Sequence, residues 1–297
     1  MTIKTVAVLG AGTIGCGVAQ SLAETGHQVI LVDTADDVLD AALTGVRREL
    51  RMARLHGRPR DADDSAVLAR IEPTTDYQRL AGADFVIENT TEDWDVKSAV
   101  YPLIDTICAP GTTVAANTSC VPVTRLAGRT TRPGDVLGMH FMNPVHLKPV
   151  VEMVRGEHTT EAAIDRARTL LAQMGKEGIL VEDSPGFVSN RVLMLAVNEA
   201  AFLVHERVAE PAEIDRIFTS CFGHSMGMLA TADLIGLDTV LRSIEMLHET
   251  FGDSKYRPCP LLRRMVDAGY LGKKSGRGFF TYPHAARAGR PTPTTPR

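Results

Sequence analysis

Aromatic residues are scarce. They make up 5% of the 297 residues, with a single Trp, too few for a surface that stacks nucleic-acid bases. Excess positive charge is also missing. Lys and Arg total 32 against 36 Asp and Glu, a net charge of −4, so no global basic field draws in nucleic acid. No uninterrupted apolar run reaches the roughly 18 residues that mark a membrane span. The stretch 191–204 comes nearest, and Asn198 and Glu199 break it. The five cysteines (Cys16, Cys108, Cys120, Cys221 and Cys259) are scattered and never spaced as CxxC. They read as reduced thiols of a cytoplasmic protein. No metal-ligand cluster is visible. Met1 runs almost at once into a strand, which on this reading leaves no room for a leader peptide. With 44% hydrophobic and 23% charged residues, the composition excludes a disordered, collagen-like or disulfide-scaffold chain.

At about 150 residues per domain, the length predicts about two domains. Residues 5–10 (TVAVLG) form a short apolar run closed by glycine, the pattern of a buried strand. Helical periodicity over 13–25 stops at Gly26, and 28–33 (QVILVD) gives a second strand. This β-α-β order with tight links predicts a parallel pair and a right-handed crossover. A long, arginine-bearing helix is predicted over 38–56, helices over 96–107 and 161–174, and strands over 84–88, 113–117, 136–140, 150–154 and 177–181. After Pro185-Gly186 the pattern turns helical over 187–206, 211–222, 237–250 and 261–268, before a last strand at 278–282. The expected architecture is an α/β domain over 1–185 and an all-α domain over 186–283. Residues 284–297, rich in Pro, Thr, Ala and Arg, are expected to be a disordered tail.

The turn between the first strand and first helix reads Gly10-Ala11-Gly12-Thr13-Ile14-Gly15, a GxGxxG. In a strand-to-helix context this is the dinucleotide-binding pattern of a Rossmann-like domain. Gly10 makes the tight turn, Gly12 lets the backbone approach a pyrophosphate, and Gly15 lets helix and strand pack closely. Thr13 and Ile14 open the helix, whose free N–H groups and positive dipole face the phosphates. Asp33 ends the second strand eighteen residues past Gly15, where a carboxylate accepts from the ribose hydroxyls and repels a 2′-phosphate. NAD is therefore favoured over NADP, and FAD is the rival ligand.

Hydride chemistry needs a proton acceptor. His27, His56, His158, His205, His224, His248 and His284 fall in loops or on polar helix faces and read as solvated; His146 is ambiguous. His140 closes a buried strand, at the sheet edge where α/β sites form. Glu152 lies in the apolar run VVEMV, where a carboxylate needs a partner. An antiparallel return would bring it to His140 and orient the imidazole as a base. The alternative is pairing with Arg155 or Lys148. On pattern alone Ser119 is a turn former or cap, and Asn190 a capping or surface residue.

The segments VLGAGTIGCGVAQ, ANTSC, GMHFMNPV, VVEMVRG, SPGFVSNR, DLIGLD, GDSKYRP and LGKKSGRGFF occur in this order over residues 6–282. Together they resemble the 3-hydroxyacyl-CoA dehydrogenase family, and within it the bacterial 3-hydroxybutyryl-CoA dehydrogenases. The resemblance implies a Rossmann-like domain followed by a helical domain that forms a homodimer. It makes His140 the base, Glu152 its orienting carboxylate, and Ser119 and Asn190 the contacts to the substrate oxygen. It assigns NAD contacts to Asp33, Glu92, Lys97, Ser119, Asn143 and Lys274. The implied reaction is reversible oxidation of a 3-hydroxyacyl thioester.

Three places depart from the family pattern. Cys120 replaces a second serine, and Ser225-Met-Gly-Met228 replaces Pro-Met-Gly-Pro. Glu49, Met52 and His56 align with the positions that hold coenzyme A. The same segment carries Arg47, Arg48, Arg51, Arg54, Arg58 and Arg60. These read either as a solvated helix face or, through Arg51, Arg54 and His56, as a dock for an acidic acyl carrier protein, as in relatives that make polyketide extender units. Further alternatives are a flavin-linked oxidase and a non-catalytic dinucleotide-binding protein.

Overall fold

A computed structural model of the protein describes residues 2–55 and 63–282. The predicted tail, His56, Arg58 and Arg60 lie outside the described residues. The described chain divides into two compact units, with the break between Phe187 and Val188.

The first unit runs β1 (Thr5–Leu9), α1 (Thr13–Glu24), β2 (Gln28–Val32), α2 (Asp36–Leu55), α3 (Asp64–Ala69), β3 (Ile71–Thr74), β4 (Phe85–Glu88), α4 (Trp94–Ile107), β5 (Thr113–Ala116), α5 (Val123–Ala127), β6 (Val136–His140), β7 (Val150–Arg155), α6 (Glu161–Gln173) and β8 (Glu177–Glu182). The strands form one sheet in the order β3-β2-β1-β4-β5-β6-β7-β8. All neighbours are parallel except β6 and β7.

The alternation of side chains along β1 explains both cores. Val6 and Val8 face α1, α2 and α6, whereas Ala7 and Leu9 face α4 and α5. A strand covered on both faces must be apolar throughout, which is why TVAVL shows no polar alternation. The order reverses at β1, whose neighbours are β2 and β4. A crevice therefore opens beyond the carboxyl ends of β1 and β4, the usual ligand position in such sheets.

The second unit comprises α7 (Ser189–His205), α8 (Pro211–Phe222), α9 (Met228–Ile235), α10 (Leu237–Phe251) and α11 (Pro260–Asp267). Its core joins Met194, Val197 and Ala201 of α7 to Val240, Ile244 and Leu247 of α10. Helix α8 begins with Pro211 and a reciprocal Glu210–Glu213 capping box. Among the described residues no helix is long and apolar enough to cross a membrane.

Two expectations are corrected here. Residues 278–282 do not form a strand; only isolated bridges link Gly272, Arg277 and Thr281. The N–H groups of Phe279 and Phe280 and the Tyr282 hydroxyl donate to the Asp233 carboxylate instead. Gly278 permits this wrap, since a Cβ there would lie 2.0 Å from Asp233 Oδ1. His27 is not solvated but 4% exposed, with Nδ1 3.2 Å from the Leu22 carbonyl.

Burial lowers the His27 pKa below its ordinary value, although Leu22 and Gln173 oppose the shift. Folded His27 thus stays neutral at pH values where the unfolded chain takes up a proton. Stability is lost as pH falls below the unfolded value of about 6.5. We expect His27→Gln to narrow the gap between denaturant midpoints measured at about pH 7.5 and pH 5.5. Equal gaps in variant and parent would refute the assignment.

Candidate active site

Two of the three motif glycines, Gly10 and Gly15, have a steric reason within the chain. Gly10 has φ +95, and a Cβ on it would lie 2.5 Å from the Asn89 carbonyl oxygen. A Cβ on Gly15 would meet Gly10 O at 1.8 Å. These two glycines clamp the start of α1 to the ends of β1 and β4. Gly12 differs: a Cβ there meets nothing within 4 Å, so open space lies before the loop. The first α1 bond runs from the Cys16 N–H to Gly12 O. The N–H groups of Thr13, Ile14 and Gly15 therefore precede the helical ladder and remain for a ligand. Asp33 Oδ2 accepts from the Ala11 N–H at 2.7 Å, which fixes the carboxylate beside the loop. A glycine cradle, a helix N-terminus and a strand-end carboxylate fit a dinucleotide.

The second cluster lies at the β6–β7 ends. The antiparallel register pairs His140 directly with Glu152, and His140 Nδ1 lies 3.0 Å from Glu152 Oε2. Arg155 pairs with Glu161 at 2.7 Å. Both members of the His140–Glu152 pair are nearly dry, with side chains 7% and 10% exposed. An ionised carboxylate only accepts, so Nδ1 carries a proton and Nε2 presents its lone pair. Ser119 Oγ lies 3.1 Å from Nε2. An imidazole, a carboxylate and a hydroxyl thus converge.

Ser119 is held by its backbone. Glu92 Oε1 accepts from the N–H groups of Ser119 and Cys120, both at 2.9 Å, and from Thr118 Oγ1. Burial pushes the Glu92 carboxyl up, but the Lys97 ammonium and these donors outweigh it and hold it below the usual carboxylate range.

Family models match nearly the whole chain. Residues 5–184 match the 3-hydroxyacyl-CoA dehydrogenase NAD binding domain, and 186–282 its C-terminal domain. The chain is 44% identical over 282 residues to the "Probable 3-hydroxybutyryl-CoA dehydrogenase" of Bacillus subtilis, covering 95% of this chain and 98% of the relative. It is similar to the crystal structure of (S)-3-hydroxybutyryl-CoA dehydrogenase PaaH1 from Ralstonia eutropha, with TM-score 0.90, 42% identity, and 95% and 99% of the two chains covered. M. tuberculosis FadB2 gives TM-score 0.92 at 36% identity, over 95% and 100%. This chain belongs to the 3-hydroxyacyl-CoA dehydrogenase family.

Membership in this NAD-dependent oxidoreductase family decides between the rival cofactors in favour of NAD. It also frames the placement of the other residues. Asn143 is exposed in the loop after β6, joined to Pro144 by a cis peptide bond. In the second unit, Asn190 lies in the first turn of α7, and Lys274 Nζ pairs with Asp238 at 2.6 Å. Lys97, expected as a cofactor contact, is fully buried. Its side chain is 0% exposed and pairs with Glu88, also 0% exposed, at 2.9 Å, and it donates to the Asn117 carbonyl. Here it braces the ends of β4 and β5.

Sequence reasoning passed over Glu88, Asn117 and Phe187. Asn117 Oδ1 accepts from the Phe141 N–H, and its Nδ2 donates to Asn89 Oδ1. It ties three strand ends together beneath the site. The available signal was an acid closing the apolar run DFVIE with a lysine nine residues on. Of the arginine cluster, Arg47, Arg48, Arg51 and Arg54 are exposed on α2, and Arg54 pairs with Asp64 at 2.8 Å.

Proposed function

We propose that the protein reversibly oxidises a short 3-hydroxyacyl-CoA, such as 3-hydroxybutyryl-CoA, to its 3-oxoacyl thioester. The observation that carries this reading is His140 Nε2 standing beside Ser119 Oγ while Nδ1 is engaged by Glu152. NAD, when bound, supplies the hydride acceptor. His140 Nε2 takes the proton of the 3-hydroxyl as the C3 hydride leaves, and Glu152 stabilises the resulting imidazolium. Ser119 Oγ orients the substrate oxygen. In the reverse direction His140 returns the proton to that oxygen. The family resemblance adds Asn190 and Lys274 to the substrate and cofactor contacts.

A second reading keeps the chemistry and changes the carrier. Arg47, Arg48, Arg51 and Arg54 share the exposed side of α2 with Met52 and Leu55, which are 42% and 73% exposed. A basic face with apolar side chains suits an acidic acyl carrier protein. The test is NADH formation from 3-hydroxybutyryl-CoA compared with carrier-bound hydroxyacyl groups. Higher kcat/KM on the CoA ester rules out the carrier reading; the opposite preference overturns the CoA reading. Turnover of no thioester supports the non-catalytic binding protein.

The helical unit exposes Val192, Ile217, Phe222 and Leu234, from 51% to 68%. Apolar surface of this kind favours association, and a homodimer is the form we infer. Sedimentation velocity at micromolar concentration should give a dimer, and a monomer would remove the inference.

A further inference from the structure

His140 has a third neighbour besides Glu152 and Ser119. The Phe187 ring meets the imidazole edge-on, with centroids 6.0 Å apart and planes inclined by 61°. Phe187 is 3% exposed, and His140 is 6% exposed. Glu152 at Nδ1 and Ser119 at Nε2 hold the two ring nitrogens, which leaves tilt of the ring plane about the line between them as the freedom a third contact can restrict. An aromatic edge against the imidazole restricts this tilt and keeps water off the ring.

The backbone that delivers Phe187 is unusual. Its φ is +48, in the left-handed region that a bulky side chain rarely adopts, and it follows Gly186 at φ +73. The turn closes through the Phe187 N–H donating to Ser184 O at 2.8 Å. One residue earlier, Asp183 accepts from the N–H groups of Val123 and Thr124 at 3.2 and 2.7 Å. The turn is thereby stapled to the start of α5, the element that follows the Ser119 loop. Phe187 also packs into the core that contains Val123, Val154 and Val181. Strain held in place by so many anchors is the pattern of a residue kept for position.

We propose that Phe187 is a positioning residue for His140: its ring sets the imidazole plane and shields the His140–Glu152 hydrogen bond, and the Asp183–Phe187 turn ties that ring to the element following the Ser119 loop. The inference rests on His140 acting as the base. It accounts for a strained, buried aromatic that the cofactor cradle and the proton path do not themselves use.

The experiment compares Phe187→Leu, which keeps apolar volume without an aromatic edge, with Phe187→Tyr, which keeps the ring. Steady-state kinetics with 3-hydroxybutyryl-CoA, calorimetric NAD affinity and thermal melting are measured on each full-length variant. We expect Phe187→Leu to lower kcat about tenfold or more, as a small misplacement of a reacting group does, with KM and NAD affinity unchanged. Phe187→Tyr should restore kcat to within about threefold of the parent, the tolerance of one retained ring contact. Phe187→Leu with parental kcat overturns the proposal. So does a loss in kcat matched by equal losses in NAD affinity and melting temperature, or one that Phe187→Tyr fails to restore. His140→Ala in the same assay separates the two questions: if it is inactive while Phe187→Leu is normal, only the positioning role falls.

Discussion

His140→Ala should lower kcat by about 10²–10⁴, the range for loss of a positioned general base. Removing the imidazole takes away the atom that receives the hydroxyl proton. It touches neither the glycine cradle nor Asp33, so NAD affinity by calorimetry should hold. Glu152→Gln should lose less than His140→Ala. The amide can still lie at Nδ1 but cannot stabilise the imidazolium that forms during turnover. Parental turnover by His140→Ala would remove His140 from the mechanism. A large loss of NAD affinity in the same variant would show that the substitution had disturbed the cofactor site instead.

Lys97→Met should produce the largest loss of stability. Glu88 has 0% side-chain exposure, and Lys97 supplies both of its oxygens with a donor, at 2.9 and 3.0 Å. The Thr90 N–H and hydroxyl and the Tyr101 hydroxyl also donate to Glu88, at 2.7, 2.6 and 3.2 Å, and the Tyr101 pKa is pushed well above the usual tyrosine range by burial and by Glu88. Removing Lys97 leaves the buried carboxylate without its counter-ion and costs about 3–5 kcal/mol. Trp94, the only tryptophan, begins α4 in the first unit. Its fluorescence during urea unfolding therefore reports the unit in question. Adding Glu88→Gln to Lys97→Met should recover much of the loss, because the buried charge goes with it. A single variant as stable as the parent would contradict the pairing. Since Lys97 also helps hold Glu92, and Glu92 holds the Ser119 loop, the folded fraction should show reduced kcat as well.

The residues differ in how far the sequence alone revealed them. The His140–Glu152 contact was half legible: an antiparallel return would bring the two together, but pairing of Glu152 with Arg155 or Lys148 fitted the sequence equally until the β6–β7 register was seen. The glycine loop was legible because its spacing is dictated by local backbone contacts. Lys97–Glu88 was not, since a lysine nine residues beyond an acid on a different element carries no periodic signal. His27 looked like a polar residue in a turn. Its burial follows from the helix-to-strand link lying beneath Gln173, nearly 150 positions away in the chain. Residues 278–282 have the apolar, aromatic content of a strand, but their N–H groups found a carboxylate before they found another strand. Helix α9 was missed because it is only eight residues long and bracketed by Gly227 and Gly236, glycines that read as loop.

The one antiparallel step in the sheet bears on how specificity can be rewritten. Main-chain pairing of Gly138, Met139 and His140 with Val154, Met153 and Glu152 sets the His140–Glu152 pair on one face of the sheet. A slip of one residue would turn the two side chains to opposite faces, so the ladder tolerates no gradual drift. Within the connection over 141–149, Phe141 and Val145 are buried in the core and cannot be exchanged freely. Substitutions confined to the exposed Leu147–Pro149 can alter the loop while the ladder keeps His140 and Glu152 in register.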